Sequence, residues 1–349
     1  MGGKALKNTI TERKSTDEFN RIASILQKRF SDKLNVETYI VKCYHEKETH
    51  GDLDILLKVD NNFHNKGINI KNWIKDEFNP NEIFYNGNVS SFDFDQFQID
   101  IIPVGESDWK LTKIWTAYDP TGNLMGKIAN SMRYVDDVDD VELKVKLCYA
   151  PHGLYAKIYS KDADLKEILL SKNPDKIFEF LGYDYKIFEK GFDKLIEIFN
   201  YTISSKYFCA DIFQFENLNH VDRKRNRRRK TFNEFLEYIK TLDNKNIFPF
   251  KYNKELILSH INLHFPEVDF ESKVNKAKEL YLYKKELSKK FNGNLVMEWF
   301  PELKGKELGS VLFNYKKSKD NFQYFIENND CHSIEIDFKN YYKSNICTI

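Results

Sequence analysis

The sequence predicts an α+β protein, with a sheet flanked by helices over residues 1–160 and a mostly helical C-terminal half. Three observations carry this. Runs rich in β-branched and aromatic residues, Thr38 to Tyr44, Gly51 to Val59 and Phe97 to Val104, are interleaved with stretches of helical spacing. Asn86-Gly87, a strong hairpin signal, stands between the second and third of these runs. From Pro174 onwards apolar residues recur three and four apart, as in Ile177, Phe180 and Leu181 and then Phe192, Leu195, Ile196 and Phe199.

Taken in order, Ser15-Thr16-Asp17-Glu18 reads as a capping box, followed by Phe19, Ile22, Ala23, Leu26 and Phe30 at helical spacing. This helix is expected to pack on the sheet. Ile68 to Phe78, stopped by Pro80, reads as a short helix, and the Asn86-Gly87 hairpin leads to the third run. Ser107 to Ala117 and Thr121 to Met132 read as helices, the second opened by Asp119-Pro120. Val145 to Ser160 reads as a hairpin about Pro151-His152-Gly153, Pro174 to Lys240 as helical, and Ile257 to Ser318 as helical with Gly293, Pro301 and Gly305 as punctuation. The spacing suggests regions at 1–160, 161–245 and 246–349.

The chemistry concentrates in Gly51-Asp52-Leu53-Asp54-Ile55-Leu56-Leu57. Residues i and i+2 of a strand share a face, so Asp52 and Asp54 point the same way. Such a pair standing alone is ordinarily a solvated strand edge. Here a third acid, Asp100, sits among Ile99, Ile101 and Ile102, where a solvated carboxylate has little reason to be. Three acids converging on neighbouring strands repel unless cations lie among them, and oxygen donors select a hard divalent ion such as Mg²⁺. The expectation is a two-metal site on Asp52, Asp54 and Asp100.

Lys47 to Leu57 resembles the catalytic strand of the DNA polymerase β nucleotidyltransferase superfamily, and Ile99-Asp100-Ile101 resembles its third-carboxylate strand. The likeness departs from the superfamily at its Gly-Ser pair, whose place is held by Lys42-Cys43. The stretches 119–128, 178–185 and 304–309 resemble nucleotidyltransferases of large bacteriophages. The last also resembles the helical part of CCA-adding enzymes and bacterial poly(A) polymerases. The resemblance implies a polymerase β-like mixed sheet and two Mg²⁺ ions, with Mn²⁺ as an alternative. It further implies an NTP as donor and an RNA or DNA 3′ end as acceptor. Lys42, His50 and Gly51 are then placed beside the nucleotide, along with Asp119, Thr121, Asn123 and Lys127 at a helix N-terminus whose free N–H groups suit phosphate. Other implied readings are gap-filling DNA synthesis, transfer to a small molecule or a protein, and nucleic-acid binding on a decayed scaffold.

Arg223-Lys224-Arg225-Asn226-Arg227-Arg228-Arg229-Lys230 is a basic run whose self-repulsion an anionic partner relieves. It stands in a different region from the acids, so it is expected to grip a nucleic-acid backbone and leave the nucleotide to them. Tyr207, Phe208, Phe232 and Phe235 around it read either as core or as base-stacking platforms. His260 and His264, at i and i+4, lack the further ligands of a zinc site and read as structural.

Composition bounds the rest. Lys+Arg of 54 against Asp+Glu of 53 leaves a formal charge of +1, so a polyanion must be met by local patches. Five scattered cysteines, at 43, 148, 209, 331 and 347, without a C-x-x-C pair, suit a reduced compartment. No apolar run approaches the ~18 residues of a membrane span, and the start lacks a signal-peptide pattern. Leu6 stands where a myristoylation motif after Met1-Gly2 needs Ser or Thr. A cytoplasmic protein is the expectation.

Overall fold

The computed structural model of the chain describes residues 3–59, 69–138, 141–161, 163–242 and 253–346. Met1, Gly2, Ile68 and Cys347, which enter the readings above, lie outside the described residues. The chain divides into two compact units, Met1–Phe270 and Glu271–Ile349. The regions read from the sequence as 1–160 and 161–245 therefore fall together in the first unit.

The first unit opens with the short strand β1 (Lys14–Ser15) and helix α1 (Thr16–Leu34). The capping box is realised: Ser15 accepts from the Glu18 N–H, and the Glu18 carboxylate accepts from the Ser15 N–H. There follow β2 (Thr38–Ile40), β3 (Thr49–His50), β4 (Asp52–Val59), α2 (Ile70–Phe78), β5 (Ile83–Asn86), β6 (Val89–Phe94) and β7 (Phe97–Gly105). Five strands pair in the order β2-β4-β7-β6-β5. The β4–β7 pair is parallel and the others antiparallel, so the sheet is mixed, as expected.

Strand alternation decides what each face carries. Leu53, Ile55 and Leu57 of β4 and Phe97, Ile99 and Ile101 of β7 enter a dry core with Phe19, Ile22, Leu26 and Phe30 of α1. The opposite face receives Asp52, Asp54, Gln98 and Asp100 at one end. At its other end Leu56, Val104 and Trp109 close a second apolar cluster. Burying these aliphatics contributes roughly 1.5–3 kcal/mol each, and that burial holds the acids on the face away from α1.

Strand β2 is shorter than the expected Thr38 to Tyr44. Val41 N–H still donates to Asp54 O of β4, and beyond it the chain leaves the sheet because its backbone finds other partners: Lys42 O accepts from Tyr118 N–H, and His45 N–H donates to Phe192 O. Past β7 come α3 (Trp109–Thr116), α4 (Thr121–Ser131) and an antiparallel meander of β8 (Arg133–Val138), β9 (Val141–Ala150), β10 (Gly153–Tyr159) and β11 (Asp164–Ser171). The expected hairpin is the centre of this meander. Its outer strands escaped sequence reading because Arg133, Asp136 and Asp137 in β8, and Asp164, Lys166 and Glu167 in β11, mask the alternation.

Helices α5 (Pro174–Phe180), α6 (Tyr185–Lys190), α7 (Leu195–Ile203), α8 (His220–Asn226), α9 (Lys230–Lys240) and α10 (Lys254–His264) complete the first unit. Tyr207, Phe208, Phe232 and Phe235 are buried in it, which makes them core and not stacking platforms. His260 stacks on Phe180 at 4.2 Å and bonds to Phe180 O and the Tyr207 hydroxyl, the structural role expected of it. The second unit holds most of α11 (Phe270–Lys290) and all of α12 (Gly293–Trp299), α13 (Gly305–Lys317), α14 (Phe322–Asn328) and α15 (Cys331–Ile346), packed about Phe291, Tyr315 and Phe338. Among the described residues no helix is long and apolar enough to cross a membrane, and Cys43, Cys148, Cys209 and Cys331 are free thiols.

Ile55 is fully buried between the sheet and α1. Ile55→Ala is expected to destabilise the first unit by about 2–5 kcal/mol, measured by urea unfolding. A loss below 1 kcal/mol, about one methylene, contradicts the packing described.

Candidate active site

Parallel pairing of β4 with β7 sets Asp54 directly beside Asp100 and Asp52 beside Gln98. The four side chains make two rows on one face of the sheet, all three acids half-buried and Gln98 buried. The three acids singled out from the sequence are thus brought together.

Their surroundings disfavour ionisation. Burial raises the Asp54 carboxyl well above the usual range, and the charges of Asp52, Asp100 and Asp119 raise it further. Asp100 is pushed up to about 6 by burial, against hydrogen bonds from Ser91 and Gln98. Burial also raises Asp52, opposed by the Gly3 N–H and the Lys47 ammonium. A folded-state pKa above the unfolded one favours the fold while the group is protonated. The metal-free protein therefore loses that contribution as pH rises from the ordinary carboxylate range through about 6.

Two charged neighbours stand where the sequence reading did not put them. Lys47 is half-buried, donates to Cys43 Sγ at 3.4 Å and favours the ionised forms of Asp52 and Asp54. Lys42, the cation that the resemblance singled out, is exposed and holds Tyr118 through its carbonyl. The signal for Lys47 was its place in the charged turn just before the acidic strand. The second neighbour is the basic run. It forms the end of α8, an elbow and the start of α9, and there Arg229 Nη1 lies 3.5 Å from Asp119 Oδ1. The Thr231 hydroxyl donates to the other Asp119 oxygen at 3.4 Å, and Asp222, Arg229 and Asp119 all act on Arg225. Since Asp119 also acts on Asp52 and Asp54, the elbow borders the acid face. This corrects the expectation that it stands apart.

The remaining candidates are placed as follows. His50 is buried, stacks on Phe19 at 4.0 Å and meets the Thr16 hydroxyl. Burial lowers its pKa to about 4, so the ring is neutral and buttresses the strand. Gly51 is buried at the start of β4. Thr121 is buried with its hydroxyl donating to Tyr118 O at 2.6 Å, which turns it inward from any ligand. Asn123 donates to Asn226 at 3.2 Å, and Lys127, buried, is ion-paired with Asp222. Asn123 and Lys127 thus tie α4 to α8 and hold the elbow in place. Of the other basic residues, Lys224, Arg227 and Arg228 are exposed, Arg227 over the Phe215 ring at 6.0 Å, and Lys230 pairs with Glu234. Arg223 Nε is buried without a hydrogen-bond partner among the described residues.

The donor set suits a hard cation, since it consists of carboxylate oxygens on one face with their ionised forms short of compensating charge. Among the described residues no group of three or more His, Cys, Asp or Glu side chains is placed to hold a metal ion.

No protein-family model and no curated protein sequence matches the chain. Among solved structures it is similar to Leishmania infantum polymerase beta in a ternary P/T complex, at 11% identity over 42% of this chain and 58% of that one, with a TM-score of 0.32. It is similar to the same protein in a ternary gap complex at 11% identity over 49% and 55%, with a TM-score of 0.31. A third is an antigenic nucleotidyltransferase-like protein from Paracoccidioides brasiliensis, at 15% identity over 40% and 64%, with a TM-score of 0.22. The chain spans less than two thirds of each of these structures.

Carboxylates take up a cation only when ionised. Mn²⁺ affinity is therefore expected to strengthen as pH rises through about 6 on account of Asp100, and to go on rising for Asp54. Titration calorimetry at several pH values measures this, and an affinity flat across that range contradicts it. In the metal-free protein at neutral pH, Asp54→Asn removes a group whose ionised form burial and repulsion both oppose. A gain on the order of 1 kcal/mol is expected, seen as a higher melting temperature, and a lower one sinks the electrostatic account.

Proposed function

We propose that the chain is a metal-dependent nucleotidyltransferase that moves a nucleoside monophosphate from an NTP to a polynucleotide 3′-hydroxyl, with release of pyrophosphate. The observation that carries this is the side-by-side placement of Asp54 and Asp100, with Asp52 in the adjoining row, on one face of a parallel strand pair. Asp52, Asp54 and Asp100 would hold two Mg²⁺ ions, or Mn²⁺ in their place. Such ions lower the pKa of an attacking hydroxyl and neutralise a leaving pyrophosphate.

The chain's own residues supply position and charge. Lys47 at the acid face, and Arg225 and Arg229 at the elbow, offer cations to a triphosphate lying beside the carboxylates. The exposed Lys224, Arg227 and Arg228 extend that positive surface outward, where an acceptor backbone is met. RNA is preferred as the acceptor because the stretch 304–309, which opens α13, resembles enzymes that extend RNA ends.

Incubation with each labelled NTP, Mg²⁺ and short RNA or DNA primers tests the reading. Extension of an RNA primer by wild type and none by Asp52→Ala, Asp54→Ala or Asp100→Ala is expected. Turnover by Asp54→Ala at the wild-type rate removes the two-metal assignment, and extension of gapped DNA alone moves the acceptor to DNA. The elbow separates nucleotide from acceptor. Arg227→Ala with Arg228→Ala is expected to flatten the salt dependence of primer binding by a slope of ~0.7 per lost contact. Arg229→Ala is expected to raise the KM for NTP as well. An unchanged KM in Arg229→Ala would return the elbow to the acceptor alone.

A further inference from the structure

We propose that residues 3–12 and the buried Gln98 form a brace that positions the carboxylates of Asp52 and Asp100, and so sets how tightly the acid face holds a divalent cation. The inference rests on the metal reading above and concerns residues which that reading does not use.

The segment is tied down at its far end. The Glu82 carboxylate accepts the backbone N–H groups of Lys7, Asn8 and Thr9 at 3.0, 2.8 and 2.8 Å. Glu12 N–H donates to Gln96 O at 2.8 Å, and beyond it β1 pairs with β3. Towards the site, Ala5 N–H donates to Gln98 Oε1 at 2.8 Å. Because a donor faces that end of the side chain, the oxygen must lie there and the amide NH₂ must point the other way. It points at Asp100, reaching its two oxygens at 2.9 and 3.1 Å. Gln98 is 2% exposed, so no water competes for its orientation.

The segment ends on the other carboxylate. Gly3 N–H donates to Asp52 Oδ2 at 3.0 Å, and the Thr11 hydroxyl holds Gly3 O at 3.3 Å. This approach requires glycine: φ at Gly3 is +78°, and a Cβ there would stand 2.1 Å from Gly51 O. The brace's two donors, the Gly3 N–H and the Gln98 amide, are neutral, as is the Ser91 hydroxyl that also bonds to Asp100. An arginine in either place would cancel the charge that attracts a cation, whereas an amide or a peptide N–H orients a carboxylate and leaves its charge available. Partners of this kind behind metal ligands fix ligand direction, and removing them typically costs ~10–100-fold in metal affinity.

The test is direct Mn²⁺ binding to the full chain, followed by the electron paramagnetic resonance of free Mn²⁺, with melting temperature as a control of folding. Gln98→Ala is expected to weaken binding by ~10–100-fold. Gly3→Ala and Glu82→Ala are expected to weaken it in the same direction by a smaller factor. Glu82 bonds to the segment and to none of the three acids among the described residues, so an effect there reports the brace and not the ligands. Glu82→Gln, which keeps one acceptor oxygen, should restore part of the loss. Folded Gln98→Ala, Gly3→Ala and Glu82→Ala proteins that bind Mn²⁺ as wild type does, or more tightly, overturn the brace. If wild type binds Mn²⁺ and Asp54→Asn does not, the metal reading survives that failure. If those two bind alike, the metal reading falls and the brace with it.

Discussion

At β4 and β7 the parallel register leaves Asp54 and Asp100 one interstrand spacing apart, about 4.8 Å between backbones. Two ionised carboxylates at that distance, half out of water, repel each other by more than a typical hydrogen bond contributes. That repulsion is sustained from the other side of the sheet. The aliphatic residues that alternate with the acids are locked against α1, and a slip of one residue would bring the carboxylates into that core and the isoleucines out. Stability of the dry face thus enforces crowding of carboxylates on the wet one.

The cations the chain itself provides stand at the margin. Lys47 approaches from the turn before β3, while Arg229 is held back by Asp119. The elbow is positioned by contacts buried between α4 and α8, in particular the Lys127–Asp222 ion pair and the Asn123–Asn226 hydrogen bond. A buried ion pair adds little net stability once desolvation is counted, but it tolerates only one alignment. Here that alignment brings the basic elbow to Asp119.

Much of this was legible in the sequence because it follows from short-range rules. Alternation placed Asp52 and Asp54 on one face, and the isoleucines around Asp100 marked a half-buried acid. Ser15 and Glu18 announced α1. What stayed hidden depends on contacts far apart in the chain. Asn123 and Lys127 read as ligands at a helix start, because i and i+4 spacing shows which residues share a face and not what covers it. The elbow was assigned away from the acids because nothing local in residues 223–230 refers to Asp119. Gln98 was passed over as a polar residue in a strand, its weight coming only from Ala5 and Asp100 on either side. Strand β2 was overextended because Val41 to Tyr44 has strand composition, yet among the described residues only the Val41 N–H still bonds to β4, at Asp54 O, while Lys42 O accepts from Tyr118 and the next residue, His45, donates to Phe192 O.

The parallel pairing also bears on the order of assembly. Parallel strands cannot be joined by a tight turn, and β7 must first be reached through α2 and the β5–β6 hairpin. Hairpins and helices close over short loops and form early, whereas pairing across a long crossover waits for chain closure. During synthesis, a ribosome that has released only β4 exposes Asp52 and Asp54 as ordinary solvated acids. The cluster comes into existence when the last sheet strand to emerge slots beside the first of the pair. A truncated or stalled chain therefore carries no concentrated negative charge before its core has closed.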